Sequence, residues 1–249
     1  MKKIIIILLF ILGISDAKNI TATYKVSFGI FGRIGVAKAV LQVNKDKTYH
    51  IFIQAKATGL AKLLSDGRVE KYESSGKIIN GFLVPDIYTA TTTTHSKIYK
   101  KVFIFNHKNK KVKVLKFRIH ANNTSKSVEI LEYYANNDIL TLFFNIKHYL
   151  DDFRFIGDKI LHAVGANKKD GKVNLIAPTG KKLNDLKGYL GKKAGHFLIV
   201  FINQKIFASK RGELYLDLND DGICTKAVLK DVIFFGDIRG KLISLKETN

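Results

Sequence analysis

Three runs of alternating side chains between Tyr24 and Gly59 constrain the fold more than any other stretch of the chain. Each run is as long as a β-strand, and a period of two residues is typical of a strand with one buried face. The polar segment Asn44 to Thr48 separates the second run from the third and predicts a hairpin turn. The stretch therefore predicts neighbouring antiparallel strands.

A hairpin that is symmetric about Asp46 would place bulky pairs near its turn and small residues at its far end. The small-residue face consists of Gly35, Ala37, Ala39, Ala55 and Ala57. Since protein interiors are packed to roughly crystal density, something large must cover this face. The cover is either the chain's own Leu60, Leu63 and Leu64 or a ligand, so the five small residues are candidate ligand-binding residues.

Four segments of the chain carry a family resemblance in their strand and glycine patterns. They are Tyr24 to Gly35 (YKVSFGIFGRIG), Tyr49 to Leu64 (YHIFIQAKATGLAKLL), Gly81 to Tyr88 with its Pro85, and Glu213 to Leu242. Together they resemble an uncharacterised bacterial exported family, the domain of unknown function 3108. The resemblance implies an envelope protein rich in antiparallel β-structure, and it supplies no catalytic residue.

The N-terminus has the features of a cleaved signal peptide. Lys2 and Lys3 precede an apolar run from Ile4 to Leu12, and Ser15-Asp16-Ala17 forms a small-x-small cleavage site. We expect residues 1–17 to be removed, leaving residues 18–249 as a single β-rich exported domain, periplasmic or otherwise outside the cytoplasm. The apolar run is shorter than the ~20 residues that span a bilayer, and we expect no transmembrane span in the mature chain.

Charge and cysteine content limit the classes of partner. The net charge is +21, which favours anionic partners such as lipid headgroups or lipopolysaccharide. The lysines are spread along the whole chain, so composition alone disfavours a nucleic-acid-binding function. The single cysteine, Cys224, cannot form an internal disulfide, and we expect it to be a small buried hydrophobic residue.

One segment has the period of an amphipathic helix. Ile139, Leu142, Phe143, Ile146, Leu150 and Phe153 share one face and predict a helix from about Asp138 to Phe153. Asn136 or Asn137 is the expected cap, with Asp138 in the first turn. We expect this helix to pack on the concave face of a curved sheet. A helix on the membrane surface is the alternative, although Asp151 and Asp152 on the polar face differ from the usual basic pattern.

The segment Lys181 to Gly195 holds the one local cluster of positive charge, which comprises Lys181, Lys182, Lys187, Lys192 and Lys193. These lysines are candidate contacts with an anionic membrane surface. The segment is either a short basic amphipathic helix or a lysine-rich loop with an apolar underside. The loop is favoured, because Gly188 and Gly191 weaken a helix.

Motifs that carry chemistry are weak throughout the chain. Asp217 to Gly222 matches the first half of a calcium loop, but Val228 stands where a bidentate Glu is required, and the Asp-Gly pair predicts a hairpin turn. The seven histidines lack metal-ligand spacing. We therefore predict no catalytic residue, no metal and no cofactor, and we lean against an enzyme.

The predicted fold is mainly β, an antiparallel curved sheet that forms a sandwich or partly open barrel with one apolar α-helix packed against it. The polar stretch Ala121 to Ser127 is interpreted as a loop or boundary within it. The leading functional hypothesis is non-catalytic binding or carriage of an amphipathic, lipid-like anionic ligand. The alternative is a structural or assembly factor that docks on another envelope protein, and a hydrolase is the third possibility.

Overall fold

The computed structural model describes residues 17–29, 32–59, 62, 65–120, 123–167, 169–191, 194–202, 212–232 and 236–248. Most of the predicted signal peptide lies outside the described residues. So do Leu60, Leu63 and Leu64, the chain's own candidate cover for the small-residue face, and Lys192 and Lys193 of the basic cluster.

Eight long strands precede the central helical segment, and a two-residue ninth strand leads directly into it. The first eight are β1 (Lys18–Phe28), β2 (Arg33–Val43), β3 (Thr48–Ala57), β4 (Val69–Ile79), β5 (Phe82–Thr93), β6 (Lys97–Asn106), β7 (Lys111–His120) and β8 (Asn123–Ile130). The others are β9 (Asn137–Asp138), β10 (Gly157–Val164), β11 (Lys172–Ala177), β12 (His196–Phe201), β13 (Glu213–Leu218), β14 (Cys224–Val232) and β15 (Gly236–Thr248). The helices whose bounds lie among the described residues are α1 (Ile139–Phe144), α2 (Ile146–Tyr149) and α3 (Gly180–Leu190).

The described strands form one open sheet of 15 strands in the order β8-β7-β6-β5-β4-β3-β2-β1-β15-β14-β13-β12-β11-β10-β9. Neighbouring strands are antiparallel, except that β9 runs parallel to β10. Strand β1 lies in the middle, where it pairs with β2 on one side and with β15 on the other. The predicted antiparallel β-class is therefore confirmed, and β8 and β9 are the two edges of the sheet.

The predicted register of the first hairpin is confirmed. Val43 pairs with Tyr49 next to the turn, and Gly35 pairs with Ala57 at the far end. The Asp46 carboxylate accepts hydrogen bonds from the backbone N–H and the hydroxyl of Thr48, which stabilises the turn. The small-residue face is therefore assembled as the sequence predicts.

Helices α1 and α2 pack against strands from both halves of the sheet. Leu140 of α1 packs in a cluster with Ile51, Val112 and other residues of the first half. Leu142 and Leu150 pack with Leu198 and other residues of the second half. The sheet therefore curves around the helical segment, and the expected packing of an apolar helix on a concave face is confirmed.

The prediction of one continuous helix from Asp138 to Phe153 is wrong, because the structure has two shorter helices and the second ends before Phe153. Asn145 separates α1 from α2, and α2 ends at Tyr149. The Asn145 side chain donates to the Leu83 carbonyl and accepts from the Leu83 N–H, each at 2.9 Å, so it is held by strand β5. Beyond α2, Asp151 and Asp152 adopt left-handed φ angles of 49° and 52°, a conformation that Asp tolerates better than most residues and that ends a helix.

Helix α3 covers the outer face of the second half of the sheet, so the favoured interpretation of this segment as a loop is wrong. Leu186 and Leu190 are buried against Phe197, Ile199 and Val228. Burying two leucines contributes about 3–6 kcal/mol, which exceeds the cost of about 1 kcal/mol for Gly188 inside a helix. Packing of Leu186 and Leu190 against the sheet therefore stabilises this segment as a helix.

Candidate functional site

Strand β8 is an exposed edge of the sheet. All eight of its residues are exposed, and among the described strands they pair with β7 alone. The Leu131 N–H donates to the Val112 carbonyl at 2.9 Å, and alternation along the strand then directs the N–H groups of Lys126, Val128 and Ile130 away from β7. An edge of this kind can pair with a strand of another protein. The expected loop at Ala121 to Ser127 is therefore wrong from Asn123 onward, because these polar residues form the edge strand.

The outer face beside this edge carries a set of apolar side chains, which we name the edge patch. Its members share a face through the register of β6, β7 and β8, and they are Val102, Ile104, Leu115, Phe117, Val128 and Ile130. Val128 and Ile130 are 53% and 55% exposed. The described helices pack elsewhere, with α1 and α2 on the concave face and α3 over β11 to β14. A contiguous apolar patch at a free sheet edge is typical of a protein-interaction surface.

Lysines lie within and beside the edge patch. Lys113 pairs with Ile130 across β7 and β8, and Lys100 pairs with Phe117 across β6 and β7. The Lys126 Nζ lies 5.7 Å from the centroid of the Phe117 ring. The surface therefore combines apolar contact area, free backbone hydrogen-bonding groups and positive charge.

The small-residue face lies on the concave side of the sheet. Gly35 is buried, whereas Ala37, Ala39, Ala55 and Ala57 are half-buried. A Cβ atom at position 35 would lie 2.7 Å from the Lys56 carbonyl oxygen, so this close approach of two strands requires glycine. Two cavities of about 210 and 250 Å³ lie in the second half of the described chain, and none of the five small residues lines either of them.

Larger side chains border the small-residue face along the neighbouring strands. Tyr24 pairs with Ala37, and Glu70 pairs with Ala55. The Glu70 carboxylate accepts a hydrogen bond from the Thr92 hydroxyl at 2.8 Å and another from the Tyr72 hydroxyl at 3.3 Å. The border of this face is therefore partly polar.

The described lysines of the basic cluster lie on helix α3 in two different environments, one exposed and one half-buried. Lys181 and Lys182 are exposed at the start of the helix. Lys187 is half-buried, with its Nζ 5.7 Å from the centroid of the Phe197 ring. The structure therefore separates Lys187 from the other two.

A buried polar network around Asp138 is missed by the sequence analysis, which assigns Asp138 to the first turn of the helix. Asp138 is instead the N-cap of α1, and its carboxylate accepts from the backbone N–H groups of Leu140 at 2.7 Å and Thr141 at 3.0 Å. The Ser74 hydroxyl donates to the same carboxylate, and the Tyr49 hydroxyl lies 3.1 Å from that of Ser74. Burial raises the pKa of Asp138 to about 6. Asp138 and Ser74 are both buried, and the network joins the helix to the sheet.

The described residues contain no group of three or more His, Cys, Asp or Glu side chains placed to hold a metal ion. The calcium-like segment forms the turn between β13 and β14, as predicted. Asp217 is buried and accepts a hydrogen bond from the Thr225 hydroxyl. Cys224 is buried, as expected, and burial raises the pKa of its thiol to about 12.

Comparisons with known proteins place the chain in a family without assigning an activity. No curated protein matches it. Among solved structures it is similar to a beta-barrel-like protein of domain of unknown function DUF1849 from Brucella abortus, at 10% identity and a TM-score of 0.48, over 94% of this chain and 98% of that one. None of the described helices has the length and apolar character needed to cross a bilayer. Residues 23–151 match the family described as protein of unknown function DUF3108, and the chain belongs to this family.

Proposed function

We propose that this protein is an exported, non-catalytic docking factor that binds another envelope protein through strand β8 and the edge patch. The observation that carries the proposal is the free, fully exposed edge of β8 beside contiguous apolar side chains. Export rests on the sequence features of residues 1–17, and N-terminal sequencing of the protein recovered from a periplasmic extract tests it. The expected N-terminus is Lys18.

The geometry favours a partner that adds a strand to the sheet. Backbone groups of β8 that face away from β7 would pair with an extended segment, and the edge patch would accept its alternate apolar side chains. Lys113 and Lys126 favour acidic residues in that segment. A second copy of this chain is a poorer fit, because two molecules of net charge +21 repel each other.

A photo-crosslinking experiment in cells tests the docking proposal. A benzophenone amino acid at position 128 is expected to capture one defined envelope protein, identified by mass spectrometry. The same amino acid at position 243 is the matched control, since Ile243 is 54% exposed on the distant strand β15. Capture of the same proteins at both positions, or none at position 128, would contradict the proposal.

A matched pair of variants separates strand pairing from general stability. Val128→Pro removes a backbone N–H that points away from β7, so it is expected to reduce capture at position 130 while the β7–β8 ladder remains. Val128→Thr keeps the N–H and the β-branched shape, so it should retain capture. Equal capture by both variants would exclude strand addition at this edge.

The second candidate function is binding of an amphipathic, lipid-like anionic ligand. The partial solvent accessibility of the alanines on the small-residue face supports it. Native mass spectrometry of residues 18–249 purified gently from a periplasmic extract tests it, with Ala39→Phe as the variant that would displace the ligand. A bare monomer mass for the unmodified chain would remove this candidate.

Contact with an anionic membrane surface is the role proposed for Lys181, Lys182, Lys187, Lys192 and Lys193. The exposure of Lys181 and Lys182 on α3 supports it. Flotation with vesicles containing an anionic lipid tests it. The double variant Lys181→Gln, Lys182→Gln is expected to float less than the parent, and equal flotation would contradict the role.

A further inference from the structure

A cavity of about 210 Å³ opens beneath helix α3, at the end of the sheet remote from β8. Aromatic and aliphatic side chains form most of its wall, and Lys187 lies among them. The residues that matter for its chemistry are Phe153, Phe155, Leu183, Lys187 and Phe197. Ile156, which is 65% exposed, lies at its opening to solvent. We name it the α3 cavity.

The walls of the α3 cavity are held in place by specific contacts. The Phe153 ring stacks on His196 with 4.1 Å between ring centroids, and His196 Nε2 lies 2.9 Å from an Asp220 carboxylate oxygen. The Lys159 Nζ lies 4.6 Å from the centroid of the Phe155 ring. The cavity is therefore formed before any ligand arrives, which reduces the ordering cost of binding.

The backbone beside the cavity is strained. Asp151, Asp152 and Phe153 all adopt left-handed φ angles, and the value for Phe153 is 65°. Such a conformation is strained for a bulky non-glycine residue and occurs preferentially at functional sites. Here it directs the Phe153 ring into the wall of the cavity.

Size and charge together define the ligand. A cavity of about 150 Å³ with an apolar lining binds benzene, so the α3 cavity accepts one aromatic ring or a short aliphatic tail. Among the described residues, no carboxylate lies within ion-pair distance of the Lys187 Nζ, which lies 5.7 Å from the centroid of the Phe197 ring. A half-buried ammonium group beside an apolar cavity favours a ligand with one negative charge.

We infer that the α3 cavity binds a small monocarboxylate with an apolar tail, such as a short-chain fatty acid. The tail lies among Phe153, Phe155 and Leu183, and the carboxylate accepts a hydrogen bond from Lys187. This site is separate from the edge patch, so it does not depend on the proposed docking function.

Titration of residues 18–249 with octanoate and with octanol, followed by amide NMR, tests this inference. Octanoate is expected to shift the amide signals around Leu183 and Phe197 in a saturable way. It should bind about tenfold more tightly than octanol, which has the same tail and no charge. The absence of saturable shifts at millimolar octanoate, or shifts confined to other regions, would overturn the inference.

Two variants and one control assign the contacts. Lys187→Gln is expected to reduce octanoate affinity to that of octanol, while Lys38→Gln, at an exposed lysine of strand β2, leaves it unchanged. Leu183→Trp fills the cavity and is expected to abolish binding of both probes while the remaining amide spectrum is preserved. If Lys187→Gln binds octanoate as tightly as the unmodified chain, the assignment of the carboxylate to Lys187 is wrong.

Discussion

Asp138 shows how one buried side chain can hold an element in place and make the molecule sensitive to pH. Its carboxylate caps α1 and accepts from the Ser74 hydroxyl, so it joins the helix to strand β4. The phenols of Tyr49 and Tyr88 interact electrostatically with this carboxylate, and neither supplies a positive charge. Burial is therefore the dominant influence on Asp138, and it raises the pKa to about 6.

The raised pKa of Asp138 predicts a specific pH dependence of the free energy of unfolding. Because the folded protein prefers the protonated acid, this contribution is fully present below the ordinary pKa of 3.8 and is lost as pH rises through about 6. The difference between these two pKa values corresponds to ~3 kcal/mol in the free energy of unfolding. Asp138→Asn keeps an oxygen for the Leu140 and Thr141 N–H groups but cannot ionise. We expect chemical denaturation at pH 4 and pH 7 to give a smaller difference for the variant than for the unmodified chain.

A helix-cap control separates charge from capping in this experiment. Asp138→Ala removes the cap and the bond from Ser74, so it is expected to be less stable than Asp138→Asn by about 1–2 kcal/mol at every pH, because neither variant ionises at this position. If Asp138→Asn shows the same pH dependence as the unmodified chain, Asp138 does not titrate in this range.

The sequence predicts an acidic residue at the start of the helix, but it predicts neither the burial of Asp138 nor its hydrogen bond with Ser74. Ser74 lies 64 positions earlier in the chain, and periodicity within one segment carries no information about such a contact. The same holds for Asn145, which the periodicity assigns to the interior of a helix. Its side-chain amide instead makes two hydrogen bonds with the backbone N–H and carbonyl of Leu83. Turns formed by neighbouring residues can be predicted from the sequence. The roles of residues whose partners lie far along the chain cannot.

At the scale of elements, α3 gives a clear contrast between two glycines. Gly188 is exposed inside the helix, and a Cβ atom there would meet no atom within 4 Å. Gly188→Ala is therefore expected to stabilise the protein by about 0.5–1 kcal/mol, because alanine loses less backbone entropy in a helix. Thermal and urea unfolding of the variant measure this gain.

Gly191 is the matched control, because it ends the helix with a left-handed φ of 62°. Alanine is strained in this conformation, so Gly191→Ala is expected to destabilise the protein by about 1 kcal/mol. Equal effects of the two substitutions would show that α3 does not end at Leu190 in solution.

Elements with local partners were predicted better than elements with distant ones. The β2–β3 register follows from alternation and one turn, and both lie within Arg33 to Ala57. Helix α3 depends on Phe197, Ile199 and Val228, which lie on strands outside the segment itself. The sequence predicts a loop at Ala121 to Ser127 because residues 123–127 of β8 are all polar and so lack the alternation of apolar and polar side chains that indicates a strand.

For the whole molecule, the pairing of β1 with β15 is the feature that joins the two ends of the chain. Strands β1 to β8 pair mostly with their neighbours in sequence, and so do β9 to β15. The register between Asn19 and Thr248 links these two series. The helical segment joins them a second time, because its apolar side chains enter clusters from both halves. The family match over residues 23–151 therefore ends inside a structure that continues to Thr248.

This arrangement predicts that the fragment of residues 18–151 does not fold on its own. Without the second half, Leu142, Ile146 and Leu150 lose their packing partners, and β1 becomes a second free edge. Burial of three such side chains contributes about 5–9 kcal/mol, which is comparable to the ~5–15 kcal/mol that stabilises a whole domain. We expect the fragment to lack a cooperative thermal transition, whereas residues 18–249 unfold in a single transition that is the same by near- and far-ultraviolet circular dichroism. A cooperative transition in the fragment would mean that the chain consists of two domains, and the prediction of a single domain over residues 18–249 would then be wrong.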